Sequence, residues 1–370
     1  MEIMDLKSLL SIYKGKKVLV TGHTGFKGSW LTIWLLNLGA NVVGYSLDET
    51  DKKNNFELSK ISGRIKDIRG DIRNKEKLMQ LFKTERPEIV FHLAAQALVI
   101  DGYSDPIYTY ETNIMGTANV LEAIRLSDSA RTAILITTDK VYENKEWIWP
   151  YREDEPMGGY DPYSSSKGAA ELVIASYRNS YFNPNNYPVH KKSITSVRAG
   201  NVIGGGDWNK NRIVPDCIKS IENNEVIEVR NPKATRPWQH VLDPLGAYLL
   251  LGSKMIEEPT KYAEAWNFGP DNENIIDVES LVKKIIKLYK KGKWKDKSDP
   301  NALHEAKFLA LDINKAKYKL NWQPVLNFED TVKFTIDWYK NYKNEEVFDL
   351  CSKQIEKYFS LFEINFDKKN

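Results

Sequence analysis

Lys17-Val-Leu-Val-Thr-Gly-His-Thr-Gly-Phe-Lys-Gly28 is the stretch that decides the fold. A short apolar run ends in glycines at 22, 25 and 28. Residues 29–38 then carry a Trp and Leu face that stops at Gly39, where a C-cap glycine belongs. Strand, glycine loop and helix in that order supply a tight turn, a close backbone approach and a helix N-terminus whose free N–H groups attract a pyrophosphate. The loop predicts a dinucleotide site with Gly22, Thr24, Gly25, Phe26, Lys27 and Gly28 as its contacts. A glycine triplet alone is a weak signal, and the strand–helix units that follow it make it a strong one.

Outward from the loop, short apolar runs at 41–46, 64–69, 88–93, 132–137 and 193–198 alternate with helical patterns at 74–84, 106–126 and from about 162. That alternation predicts an α/β fold, a Rossmann-type doubly wound parallel sheet covered by helices. After residue 201 the composition changes. Gly204-Gly205-Gly206 and Pro215, Pro232, Pro237 and Pro244 cut the chain into short pieces, and helical patterns return only at 276–290 and 328–342. We expect residues 1–200 to form the dinucleotide-binding domain. Residues 201–370 should form mainly a smaller α/β substrate-binding domain, with some chain returning to the first. Ser46 stands where an acidic ribose clamp is usual, with Asp48 two residues later, so NAD over NADP is a lean. Asp71 and Ile72 either border the adenine or make an ordinary helix-entry turn. Leu93, Ala94 and Ala95 offer small or apolar residues where a backbone can approach the cofactor.

Composition excludes several classes. Across 370 residues, 53 Lys+Arg against 50 Asp+Glu leave a net charge of +3, too thin for a nucleic-acid footprint. Two cysteines, Cys217 and Cys351, make neither a disulfide framework nor a zinc site, and five scattered histidines argue equally against a metal. The first 17 residues lack a signal-peptide pattern, and no run approaches the roughly 20 apolar residues of a membrane span. A cytoplasmic protein is expected, without a membrane partner.

Tyr163-Ser-Ser-Ser-Lys167 places a phenol and an ammonium four apart on one helix face, where the ammonium should lower the phenol's pKa and let Tyr163 act as a base. With Thr138 after the fifth strand and a G-x-x-G-x-x-G loop, the set resembles the extended short-chain dehydrogenase/reductase superfamily. The resemblance implies bound NAD, with Thr138 hydrogen-bonding the substrate hydroxyl that Tyr163 deprotonates and Lys167 holding the nicotinamide ribose.

Thr138-Asp139-Lys140 adds an acid and an amine that an epimerase does not need, which suggests elimination of water. Sugar-nucleotide 4,6-dehydratases of the superfamily carry Thr-Asp-Glu here, whereas Thr-Asp-Lys resembles the CDP-glucose 4,6-dehydratases. The runs Tyr151–Tyr163, Arg198–Trp208 and Arg236–Val241 resemble that subfamily too, and the likeness covers roughly residues 12 to 340. It implies a lyase of deoxysugar synthesis acting on a CDP-sugar. Hydride leaves C4 for NAD, Lys140 takes the C5 proton, Asp139 protonates the departing C6 hydroxyl, and hydride returns to C6. Lys140 as a base requires a depressed pKa, which burial and Lys167 would supply, and the alternative is that it only orients Asp139 or water. Gln96, Asn201, Arg212, Arg230, Arg236 and His240 are the expected substrate contacts, with Arg236 the leading phosphate clamp. The cytosine rests on the resemblance alone. A dehydratase of a GDP- or dTDP-linked sugar, a 4-epimerase and a non-catalytic NAD-binding regulator are the rival readings. The superfamily also implies a homodimer, pairing 106–126 and 163–180 into a four-helix bundle.

Overall fold

The computed structural model describes residues 6–48, 51–271, 274–298 and 308–367. Seven parallel strands form its centre: β1 (Lys17–Thr21), β2 (Asn41–Ser46), β3 (Lys66–Arg69), β4 (Ile89–His92), β5 (Thr132–Ile136), β6 (Ser193–Arg198) and β7 (Ala265–Asn267). Their spatial order is β3-β2-β1-β4-β5-β6-β7, so the winding reverses between β1 and β4. Crevices at the carboxyl ends of strands on either side of such a reversal are where ligands bind in doubly wound sheets. The inner strands are covered on both faces, which is why β4, β5 and β6 are buried throughout.

Seven helices matter for the site: α1 (Phe26–Asn37), α2 (Lys75–Glu85), α3 (Gly116–Leu126), α4 (Pro162–Ser180), α5 (Leu242–Glu257), α6 (Phe328–Asn341) and α7 (Val347–Asp367). Side chains of a strand alternate between faces, and β1 divides accordingly. Val18 and Val20 join a core with Trp30 and Trp34 of α1, Leu245 and Leu249 of α5, and Tyr358 of α7. Leu19 joins the opposite core with Leu78 of α2, Leu121 and Ile124 of α3, and Ile174 of α4. Helix α5 is buried on every side between Leu242 and Ser253, the pattern of an interior helix. Helix α7 lies across α1, where Trp34 meets Tyr358 and Phe359 edge to face at 5.5 Å each.

The sequence periodicity located the first six strands within two residues and missed three things. The helical run 106–126 is continuous but not uniform, with a π-helical turn over Glu111–Met115 ahead of α3. Residues 276 and 277, read as helix, belong to a strand, 275–277, paired antiparallel with Thr235–Pro237, and Asp277 caps the following helix by accepting from Ser280 N at 2.7 Å. Strand β7 is too short for a period of two to show. Two further ribbons pair Val202–Ile203 with Gln239–His240 and Ile227–Val229 with Trp294–Asp296. Among the described residues no helix is long and apolar enough to cross a membrane, and no group of His, Cys, Asp and Glu is placed to hold a metal.

Candidate active site

The glycine loop folds tightly against the end of β4. Gly22 has φ +74°, and a Cβ there would lie 2.7 Å from Ala94 N; at Gly28 it would lie 2.0 Å from Gly22 O. Neither position can hold a side chain. Gly25 precedes α1, whose first-turn N–H groups at 26, 27 and 28 have no intrahelical acceptor. A cradle closed to side chains and floored by free N–H groups fits a dinucleotide pyrophosphate. His23 turns beneath the loop to Asp67, 2.9 Å from Nε2 to Oδ1, and burial lowers its pKa. At the end of β2 the Ser46 hydroxyl meets the Thr24 hydroxyl at 2.8 Å. Asp71 is engaged by Arg73 at 2.7 and 2.9 Å. Burial pushes its carboxyl up, but the Arg73 bonds outweigh this and hold it below the usual range. Ile72 is buried beneath Gly116.

The end of β5 places two hydroxyls on opposite sides. Thr137 turns back and donates to Glu171 on α4 at 2.5 Å. Thr138 caps a short 3-10 turn over Asp139–Val141 and donates to Asp139 Oδ1 at 2.9 Å. The other Asp139 oxygen accepts from Asn201 Nδ2 at 3.3 Å, and Asn201 takes the left-handed conformation that asparagine tolerates, with φ +51°. Gly200 makes this seat possible, since a Cβ there would fall 1.9 Å from Asp139 Oδ2. Gln239 Nε2 holds the Gly200 carbonyl at 2.7 Å.

Asp161 caps α4 by accepting from Ser164 N at 3.0 Å, and Pro162 occupies the first turn, so Tyr163 and Lys167 fall one turn apart on it. The phenol differs from the expectation. Burial pushes Tyr163 up to about 12, while hydrogen bonding with Thr138 and the charge of Arg212 pull it down and Asp139 pushes it up. Lys167 is turned elsewhere: its Nζ donates to the Ile136 carbonyl at 3.1 Å, and burial brings its own pKa down to about 8. Lys27 is likewise brought down to about 8 by burial, with Arg212 and Lys167 acting in the same direction and Asp139 against them. Lys27, Asp139, Tyr163, Lys167 and Arg212 therefore share one electrostatic neighbourhood, and Arg212 is anchored on Asp207 at 2.9 Å. Lys140 sits half-buried on the same turn as Asp139.

Other expected residues lie elsewhere or are engaged. The Gln96 amide is committed to nearby chain, donating to Leu98 O at 3.0 Å and to Thr109 Oγ1, on the helix Pro106–Tyr110, at 2.9 Å. Leu93 and Ala95 flank Ala94, whose N–H donates to Thr21 Oγ1 at 3.3 Å. His240 is fully buried against Trp30 and Phe334, and burial takes it down to about 3, so it is a neutral core residue. Arg230 is exposed and reaches Asn211 at 3.3 Å. Arg236 lies on the Thr235–Pro237 strand and donates to Thr235 O at 2.9 Å. Sequence reading passed over Glu171, Ser196, Arg198, Asp207 and Gln239. Of these, Glu171 sits four residues after Lys167, on the same helix face.

Comparison with known proteins agrees with this geometry. The model of the GDP-mannose 4,6 dehydratase family matches residues 19–335. The CDP-glucose 4,6-dehydratase of Salmonella typhimurium is 47% identical over 95% of this chain and 98% of its own. A dTDP-D-glucose 4,6-dehydratase of Bos taurus is 28% identical over 90% and 92%. Among solved structures, a Bacillus anthracis dTDP-glucose 4,6-dehydratase with NAD superposes with a TM-score of 0.72 at 22% identity, covering 91% of this chain and all of that one. With a Rossmann-type sheet and a match that runs from the first strand to α6, the chain belongs to the GDP-mannose 4,6 dehydratase family of sugar-nucleotide-modifying enzymes.

Proposed function

We propose that the protein is an NAD-dependent CDP-glucose 4,6-dehydratase, a hydro-lyase that forms CDP-4-keto-6-deoxyglucose for deoxysugar synthesis. The observation that carries the reading is the Asp139 carboxylate, seated over Gly200 between Thr138 and Asn201 in the same electrostatic neighbourhood as Tyr163. An acid is what loss of a hydroxyl requires and what a simple epimerisation does not. The 47% identity to the Salmonella enzyme supports cytidine as the nucleoside.

The glycine loop and the first-turn N–H groups of α1 would hold NAD, which when bound would supply the hydride acceptor for C4 and the hydride donor for C6. Tyr163 takes the C4 hydroxyl proton, Lys140 the C5 proton, and Asp139 gives its proton to the departing C6 oxygen. Lys167 and Lys27 supply positive charge beside the cofactor, and Arg212 with Arg236 the guanidinium forks for the sugar diphosphate. In this reading residues 1–200 hold the cofactor, and 201–370 mainly the nucleotide sugar.

Incubating the protein and NAD with CDP-, dTDP-, UDP- and GDP-glucose separately tests the reading through alkaline 4-keto absorbance and product mass. Loss of one water from CDP-glucose is expected. Loss from another donor alone overturns the cytidine, and an isomer of unchanged mass overturns the dehydration. We also place the protein in the cytoplasm, where its two buried free cysteines suit a reducing compartment. We propose a homodimer as well, because Ile107, Met115 and Leu172 expose 66, 56 and 61% of their surface on the helices expected to pair. A monomer in sedimentation at micromolar concentration overturns it.

A further inference from the structure

A cavity with room for about one water-sized group lies beside the Asp139 carboxylate, and Gly200 and Gln239 line it with Asp139. The rest of its wall carries no polar side chain among the described residues, and Pro237, Ile275 and Leu311 belong to it. Gln239 is 1% exposed, and its strand pairs with Val202–Ile203, directly after Asn201. A backbone carbonyl only accepts, so the end of the amide that meets Gly200 O at 2.7 Å is Nε2. Oε1 is thereby left as the free end, and it has no hydrogen-bond partner among the described residues. A buried acceptor of this kind is costly unless something donates to it. The polar side chains of the cavity are thus a carboxylic acid and an amide oxygen, and an entering hydroxyl is a group that can engage both.

We infer that Gln239 accepts the hydrogen of the substrate's C6 hydroxyl, and that through it the site distinguishes a sugar with a C6 oxygen from one that has lost it. The inference rests on the dehydratase reading. The C6 oxygen accepts from Asp139 while its own hydrogen is donated to Gln239 Oε1. When Lys140 takes the C5 proton, the C5–H electron pair becomes the second C5–C6 bond, and the C6–O pair leaves with the oxygen. That oxygen keeps one hydrogen and gains the other from Asp139, so it departs as water. Its two hydrogens are then directed at Gln239 Oε1 and the Asp139 carboxylate. The product carries a methyl group at C6 and has nothing to donate to Gln239. Losing the substrate strands a buried acceptor, whereas losing the product does not.

Three ligands test this on the unaltered protein, loaded with NADH, which cannot accept hydride, so that calorimetry reads binding without turnover. CDP-glucose both donates and accepts at C6, CDP-6-deoxy-6-fluoroglucose can accept but not donate, and CDP-6-deoxyglucose does neither. Both analogues should bind more weakly than CDP-glucose, by about 10–100-fold, the effect of leaving one buried acceptor unanswered. A fluoro analogue that binds as tightly as CDP-glucose overturns the inference and leaves the dehydratase reading intact. Binding of none of the three overturns the cytidine reading and the inference with it. In Gln239→Leu, checked as folded by circular dichroism, the preference for CDP-glucose over CDP-6-deoxyglucose should nearly vanish. If Gln239 does no more than clamp Gly200, all affinities fall together and the preference persists, which overturns the inference. Should the variant fail to fold, the three-ligand comparison on the unaltered protein decides alone.

Discussion

Two buried carboxylates stand on opposite sides of the end of β5, and they are treated differently. Behind the strand, Glu171 accepts from Thr137 at 2.5 Å, Ser196 at 2.8 Å and the Arg198 guanidinium at 2.8 Å. Burial pushes its pKa up, but these donors outweigh burial and hold it below the usual carboxylate range. Arg198 is held in turn by the Tyr142 hydroxyl at 2.6 Å and the Glu153 carbonyl at 3.0 Å. In front, Asp139 has one hydroxyl and one long amide contact among the described residues. A carboxylate held by three donors, one of them a buried guanidinium, is fixed in charge and serves as a brace. One held only by a hydroxyl and a long amide contact is left room to meet a substrate.

Substitutions on the two sides should separate these roles. Asp139→Asn keeps the shape and removes the acid, so 4-keto formation should fall by about 10²–10⁴-fold with little change in unfolding midpoint. Glu171→Gln leaves Arg198 buried without its counter-charge, so denaturant unfolding should show a loss of about 3–5 kcal/mol. If Asp139→Asn proves the more destabilising of the two, the distinction between brace and acid is wrong.

A third buried carboxylate sharpens the comparison. Asp243 on α5 accepts from Val325 N at 2.8 Å and Tyr358 at 3.2 Å, its Oδ2 has no partner among the described residues, and burial pushes it up to about 7. The folded protein keeps this proton between about pH 4 and 7, where the unfolded chain has lost it. The folded state binds more protons, so this group's contribution to stability falls as pH rises through that window, by a few kcal/mol. Asp243→Asn should flatten the dependence in unfolding curves taken at a series of pH values. The smallest effect belongs to the surface. Glu88, paired with Lys16 at 2.8 Å and 41% exposed, should change stability by less than about 1 kcal/mol when replaced by Gln.

What the sequence revealed divides along the same line. The glycine loop, the six strands and the Tyr163–Lys167 pair were legible because each depends on spacing within one element. Asp139 could be named from Thr138-Asp139-Lys140, but its seat could not. That seat is built by Gly200, Asn201 and Gln239, about 60 and 100 residues downstream, and no local period relates them to the turn. The phenol pKa went astray for the same reason. Helical spacing put Lys167 one turn from Tyr163, but not its ammonium against the phenol, and the Ile136 carbonyl on another element holds it instead. His240 shows the converse, a polar residue in a promising motif whose neighbours are Trp30 and Phe334.

The way α7 crosses α1 has a consequence for how the protein is made. The outer face of α1, with Trp34 at its centre, is covered by Tyr358 and Phe359 from the last helix of the chain. During translation α1 emerges early, and β7, which closes the sheet on β6, follows some 230 residues later. At about 5–20 residues per second, the wait for α7 lasts tens of seconds. For that time the nascent polypeptide shows an apolar face it cannot hide by itself, so the ribosome-bound intermediate is a natural client for a holding chaperone, and C-terminal truncation should send the product to inclusion bodies.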